Sequence, residues 1–210
     1  MFQDRRDAGK KLAEALIPYR GHDVVVYALP RGGVVLGVEV ARTLKAPLDL
    51  IVVRKIGHPL QPEYAIGAVA EDGYLLVSAG EIAGLDRRWF DRASAAELEE
   101  ARRRRKLFLQ GRDPIAVKEK LAIIVDDGLA TGLTMLAAIH EIRKRHPQKL
   151  VVAVPVAAYE TAEKLRSVVD DLVVLHIPER MGAIGAFYER FDQVSDDEVV
   201  ALMNVAAPVQ

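Results

Sequence analysis

Apolar residues along this chain fall in short, nearly continuous blocks rather than in strict alternation with polar ones. Val24–Leu29, Leu48–Val53, Leu121–Val125, Leu150–Val156 and Leu172–Ile177 are each five to seven residues long and rich in Val and Ile. A strand with one wet face alternates, whereas nearly continuous apolar blocks suit strands covered on both faces and hence a parallel sheet. Between the blocks the spacing becomes helical. Val34, Val38, Ala41 and Leu44 share one helix face, as do Leu136, Ile139 and Ile142, with Arg143 at the solvent boundary. Tyr159–Val168 is a shorter third helix. Strands and helices in alternation make βαβ units with right-handed crossovers, so the predicted fold is α/β, a doubly wound, mostly parallel five-stranded sheet.

Two regions break this rhythm. Gly57–Lys120 is too long for a simple connection. Within it Ala65–Ala70 and Tyr74–Val77 flank Glu71-Asp72-Gly73, the signature of a β-hairpin, and Arg87–Gln110 is predicted helical with Ser94 as N-cap and Gly111 as its stop. At the ends, residues 4–17 form an amphipathic helix through Ala8, Leu12, Ala15 and Leu16, and another helix begins near Ser195. The expected organisation is one domain over residues 1–210: a core of 23–56 and 120–177, a hairpin and helical insertion of 57–119, and a hood of 1–20 and 178–210. Such extra segments are expected over the carboxyl ends of the strands, where doubly wound sheets bind ligands.

Composition narrows the chemistry. Lys and Arg total 29 against 30 Asp and Glu, a balance that argues against a nucleic-acid partner. The basic run Arg102–Lys106 reads either as a solvated helix face or as a patch that steers polyanions. The chain has no cysteine, which excludes disulfides, thiolate zinc sites and cysteine nucleophiles. The charged stretch Met1–Lys11 has no apolar segment behind it, and no run approaches the roughly 18 apolar residues of a membrane span. No membrane partner and a cytoplasmic location are expected.

The most informative stretch is Ala122-Ile123-Ile124-Val125-Asp126-Asp127-Gly128-Leu129-Ala130-Thr131-Gly132-Leu133-Thr134. A buried strand delivers two adjacent carboxylates, Gly128 and Gly132 bracket a tight loop, and a helix begins near Gly132 or Leu133. Amides of such a loop, added to a helix N-terminus, form an anion cradle that the hydroxyls of Thr131 and Thr134 complete. Two acids beside a cradle suit a ligand with a phosphate at one end and a diol or Mg²⁺ close by. A Walker A loop is excluded, because the glycines are too close and no Lys follows the second. Leu29-Pro30-Arg31-Gly32-Gly33 follows the first block in the same way, with glycines that permit close backbone approach and an arginine able to fork onto a phosphate. Arg54-Lys55 closes the second block and reads as a solvated strand end or as a further anion contact.

AIIVDDGLATGLT resembles the phosphoribosyl-pyrophosphate motif of the type I phosphoribosyltransferases at all thirteen positions. The resemblance implies that Ala130–Thr134 holds a 5′-phosphate and that Asp126 and Asp127 engage the ribose 2′- and 3′-hydroxyls. It implies a pyrophosphate loop at Pro30, Arg31, Gly32 and Gly33 with a cis Pro30–Arg31 peptide, and Lys55 as a pyrophosphate contact. Mg²⁺ would arrive with the ligand, with Asp126 and Asp127 as its protein-side candidates. The implied reaction displaces pyrophosphate from the ribose by a small nitrogenous acceptor, with Asp126, Asp127, Arg31 and Lys55 carrying it. A non-catalytic regulator binding the same ligand, or a hydrolase on the same fold, stays open. The resemblance further implies a homo-oligomer, a closing loop within 57–119, and an acceptor site in the terminal hood, where Phe187 and Tyr188 either stack on a planar base or pack the hood itself. In family members acting on 6-oxopurines the position of Ala130 is an aspartate that handles a proton on the base; alanine cannot do this, which counts against hypoxanthine or guanine.

Overall fold

The computed structural model describes residues 1–82 and 84–206. In chain order the elements are α1 (Arg5–Ala15), β1 (Val24–Ala28), α2 (Gly32–Leu44), β2 (Leu48–Leu50), β3 (Val53–His58), β4 (Gln61–Ala70), β5 (Leu75–Val77), α3 (Ala79–Ile82), α4 (Arg87–Leu109), β6 (Leu121–Val125), α5 (Leu133–Lys144), β7 (Lys149–Val156), α6 (Tyr159–Arg166), β8 (Asp171–His176) and α7 (Asp196–Ala206). Five strands form a parallel sheet in the order β2-β1-β6-β7-β8.

Side chains of each strand divide between its two faces. Val24, Val26, Ala28, Ile123 and Val125 join α1, α2 and α7 in one core. Val25, Tyr27, Ala122 and Ile124 join α5 and α6 in the other. Both faces are dry, which is why the apolar blocks do not alternate. From β1 the chain winds outward to β2, and from β6 it winds the other way to β8. The reversal lies between β1 and β6, the place where doubly wound sheets open a crevice at their carboxyl ends.

Several expectations change. Leu48–Val53 is not one strand: β2 stops at Leu50, and at Val53 the chain enters a separate antiparallel sheet, β3-β4-β5. This second sheet therefore starts before residue 57 and has its own core of Ile56, Ile66, Val69 and Phe90, with Trp89 packed against it. Ile51 and Val52 are fully buried between the sheets, so the apolar block runs on without marking the break. Its hairpin turns where expected, with Gly73 at φ 92° donating its amide to Ala70. The cap of α4 is Asp86, which accepts from the Arg88 amide at 2.8 Å; Ser94 sits inside the helix and donates back to the Phe90 carbonyl. Gly111, at φ 81°, follows the helix end as expected.

The terminal segments also differ from a simple hood. α1 lies on a sheet face against α2, burying Ala8, Leu12 and Leu16 but leaving Ala15 exposed. The stretch after β8 returns across the strand ends and pairs with the N-terminus, Phe2 exchanging backbone hydrogen bonds with Phe187 and Glu189. α7 opens with a capping box, Ser195 Oγ accepting from the Glu198 amide and Glu198 accepting from that of Ser195. No helix among the described residues is long and apolar enough to cross a membrane.

The basic run on α4 is largely neutralised by its surroundings. Arg103 and Arg104 pair with Glu100, and Arg102 with Glu99. Arg105 turns inward to Asp49 at 3.3 Å and Glu71 at 2.8 Å, while Arg145 binds Glu141 and approaches Glu71 at 3.7 Å. Three carboxylates against two guanidiniums leave one excess negative charge out of water. Burial accordingly raises Glu71 to about 8; Arg105 opposes the shift and the charge of Glu141 adds to it. An acid raised on folding contributes stability that is fully present below its ordinary 4.5 and is lost as pH rises through about 8. Glu71→Gln, which mimics the protonated acid, should therefore match the wild type in urea denaturation near pH 5. Near pH 9 it should be the more stable by on the order of 1 kcal/mol. A wild-type advantage at the higher pH would mean that Glu71 is charged within the cluster.

Candidate functional site

Two loops meet at the switch point. The Leu29 amide donates to the Val125 carbonyl at 3.0 Å, which sets the turn after β1 beside the end of β6. The Pro30–Arg31 peptide is cis, as the resemblance implied. A β-carbon on Gly32 would collide with Oδ2 of Asp127 and lie 2.7 Å from its Cγ and 2.8 Å from Arg5 Nε. One on Gly33 would lie 2.8 Å from the Val125 carbonyl oxygen and 3.2 Å from Asp126 Oδ1. The two glycines are thus the clearance through which the acidic pair enters the turn.

After the acids the chain makes a tight loop into α5. Leu129 is anchored to the neighbouring strand, its amide donating to Val156 and its carbonyl accepting from Ala158. Gly132 caps α5 at φ 74°, a conformation that costs side-chain-bearing residues most, and a β-carbon there would also meet Thr161 at 2.7 Å. Among the described residues, the amides of Ala130, Thr131 and Gly132 donate to no internal acceptor. Those of Leu133 to Met135 belong to the first turn and have no intrahelical acceptor either. The amides and the positive end of the α5 dipole make a cradle for an anion.

The two acids differ in partners. Asp127 accepts from Arg5 Nε at 2.7 Å, in a pair whose side chains are only 13% and 14% exposed. Its carbonyl accepts from the Tyr188 hydroxyl at 2.7 Å. Asp126 accepts from the Asp127 amide at 2.8 Å and has no ion pair among the described residues. Burial raises its pKa well above the usual carboxylate range, and the negative charge of Asp127 adds to this; the Asp127 amide, Lys55 and Arg5 pull the other way. Burial likewise pushes the Tyr188 phenol upward, so it stays a hydrogen-bond donor.

A cleft of about 510 Å³ brings together Pro30, Arg31, Gly32, Lys55, Asp126, Asp127, Gly128, Leu129, Ala130, Thr131, Gly132 and Thr134. Gly33 and Leu133 stand behind this lining. Lys55 arrives from the middle of β3 rather than from the end of β2, because the chain changes sheets at Val53. Arg31 lies 3.5 Å from the Asp196 carboxylate at the start of α7. Sequence reasoning missed Arg5 as a site residue, along with Tyr64 and Ile184, which also line or approach the cleft. In Asp4-Arg5-Arg6-Asp7 nothing local separates Arg5 from Arg6, whose side chain is 66% exposed and faces Glu39. Tyr188 is buried between Phe2 and Phe191, which settles its role as packing rather than as a stacking platform. A second cleft, of about 740 Å³, adjoins the first and is lined by Ala130, Ala158–Glu160 and Ile177–Gly182. Ala130 belongs to both.

The donor set suits a hard cation only if a ligand brings most of the oxygens. Among the described residues no cluster of three or more His, Asp or Glu side chains converges as a metal cage. Mg²⁺ commonly takes one or two carboxylates together with phosphate oxygens and water, and Asp126 on the cleft wall meets that need.

Residues 2–183 match the family defined by the phosphoribosyl transferase domain. A Mycobacterium tuberculosis protein, provisionally named a phosphoribosyl transferase, is 43% identical over 208 residues, covering 98% of this chain and 47% of its own length. The chain thus spans about half the length of the curated relatives it matches. The crystal structure of TT1426 from Thermus thermophilus is 41% identical, covers 98% of this chain and 99% of that one, and superposes with a TM-score of 0.81. AQ2163 from Aquifex aeolicus shares the fold at 17% identity and a TM-score of 0.54, covering 86% of this chain and 78% of its own.

Proposed function

The chain belongs to the phosphoribosyltransferase family, and from that premise we propose that it transfers the phosphoribosyl group of 5-phosphoribosyl-1-pyrophosphate to a nitrogenous acceptor with release of pyrophosphate. The observation that carries this reading is the apposition of an anion cradle and an acidic pair across a single cleft, with a second cleft opening at Ala130. Amides of Ala130 to Thr134 grip the 5′-phosphate. Asp126 and Asp127 hold the 2′- and 3′-hydroxyls and offset positive charge developing on the ribose ring. Mg²⁺, when bound with the ligand, supplies charge neutralisation at the pyrophosphate. Lys55 and Arg31 line the same cleft and would contact the pyrophosphate. The half-buried pair of Arg31 with Asp196 is long, at 3.5 Å, and can be exchanged for a pyrophosphate oxygen.

The acceptor occupies the adjoining cleft. Its nitrogen forms the bond to C1 as the bond from C1 to the pyrophosphate oxygen breaks with its electron pair, and the nitrogen then gives its proton to water. Little covalent chemistry falls to the side chains, so positioning dominates. Incubation with 5-phosphoribosyl-1-pyrophosphate, Mg²⁺ and a panel of purines, pyrimidines and small amines should release pyrophosphate only with particular acceptors. Chelating the divalent cation should abolish that release. The alternative is a regulator that binds the same ligand without turnover. Tight binding with no release across the panel would establish it.

A further inference from the structure

We infer that Arg5 is a positioning residue for the acidic pair, holding the Asp127 carboxylate in the one orientation that presents it to the sugar edge of the cleft. The inference rests on the function proposed above but concerns a residue 122 positions away from the aspartate it serves. Arg5 is itself fixed at three points. Nε donates to Asp127 Oδ2 at 2.7 Å, Nη1 donates to the Asp192 carbonyl at 2.6 Å, and the guanidinium lies 3.7 Å over the Phe191 ring. The carboxylate oxygen that Arg5 holds also lies against Gly32, where no β-carbon fits, and the Tyr188 hydroxyl holds the backbone carbonyl of the same aspartate.

Close packing of two helices delivers Arg5 to this place. A β-carbon at Gly9 of α1 would lie 2.9 Å from the Leu36 backbone of α2, so α1 approaches α2 through a glycine, and its first turn then ends at the carboxyl edge of the sheet. Arg6, one residue on, points away to Glu39. Two adjacent carboxylates at a largely dry strand end repel one another, and a planar guanidinium clamped on one of them offsets this while fixing its geometry.

The test uses the whole chain with two probes, 5-phosphoribosyl-1-pyrophosphate with Mg²⁺ and inorganic phosphate, each followed by calorimetry. Arg5→Gln should weaken the sugar-bearing ligand tenfold or more while inorganic phosphate, held by the amides of Ala130 to Thr134, binds as before. Arg5→Lys should restore part of the loss. In an Asp127→Asn background Arg5→Gln should cost less than twofold, because the residue through which it acts has already been changed. Equal loss for both probes, or a second full tenfold loss in the Asp127→Asn background, would show a general structural contact and overturn the positioning role. Wild-type protein that binds neither probe overturns the proposed function itself, whereas wild-type binding that Arg5→Gln leaves intact overturns only this inference.

Discussion

Changing both Asp126 and Asp127 to asparagine should lower phosphoribosyl transfer by 10² or more, equivalent to about 2.7 kcal/mol of transition-state stabilisation. Asparagine keeps the volume and the hydrogen-bonding reach of each side chain, so the loss reports charge. In the free protein Asp127 is matched by Arg5, whereas Asp126 has no ion pair among the described residues and burial raises its pKa. A ribose ring gaining positive charge therefore meets one carboxylate clamped by Arg5 and a second carboxyl group directly beside it. Asp127→Asn alone also leaves the 13% exposed Arg5 side chain without its counterion, a change that lowers stability as well as rate. Rates measured at saturating ligand, with folding checked by near-ultraviolet circular dichroism, separate the two effects. Undiminished turnover in the double variant would remove the acids from the mechanism.

The second large effect is expected from a methyl group. Gly32→Ala places a β-carbon within 2.7 Å of Asp127 Cγ and 2.8 Å of Arg5 Nε, with Oδ2 closer still. The carboxylate cannot retreat, because Arg5 stands beside it and its own backbone is held by Tyr188. Either the aspartate swings out of place or the turn after β1 moves, and both separate the two halves of the cleft. Affinity for 5-phosphoribosyl-1-pyrophosphate should fall at least tenfold, and overpacking should cost about 1–3 kcal/mol of stability in urea denaturation. Gly80→Ala is the control, since nothing lies within 4 Å of a β-carbon there. If Gly32→Ala binds and folds like the control, the close approach of the two loops is not a requirement of the site.

Much of the architecture was legible because its physical causes are local. A strand dry on both faces is apolar along almost its whole length, so β1, β6 and β7 stood out as blocks within a residue or two of their ends, and the partly buried edge strand β8 did so through Leu172–Leu175. The hairpin turn at Glu71-Asp72-Gly73 was legible for a similar reason, since positive φ at Gly73 is a property of a few residues. What failed were boundaries on which local chemistry is silent. Val53 is equally apolar as the end of one strand or the start of another, so the change of sheets and the true position of Lys55 were hidden. Arg105 reads as one more surface arginine until α4 folds its side chain onto Asp49 and Glu71.

The amino-acid order alone made legible the apolar strands, the glycine-bearing loops after β1 and β6, and the run from Asp126 to Thr134, because each depends on backbone conformations and burial patterns set within about a dozen neighbouring residues. Tertiary packing alone decided which cations face those acids. Arg5 reaches Asp127 only because α1 packs through Gly9 onto α2, and Arg31 meets Asp196 only because α7 returns to the same end of the sheet. Ion pairs between distant segments depend on how whole helices pack, and no periodicity along the chain encodes the angle at which two helices meet.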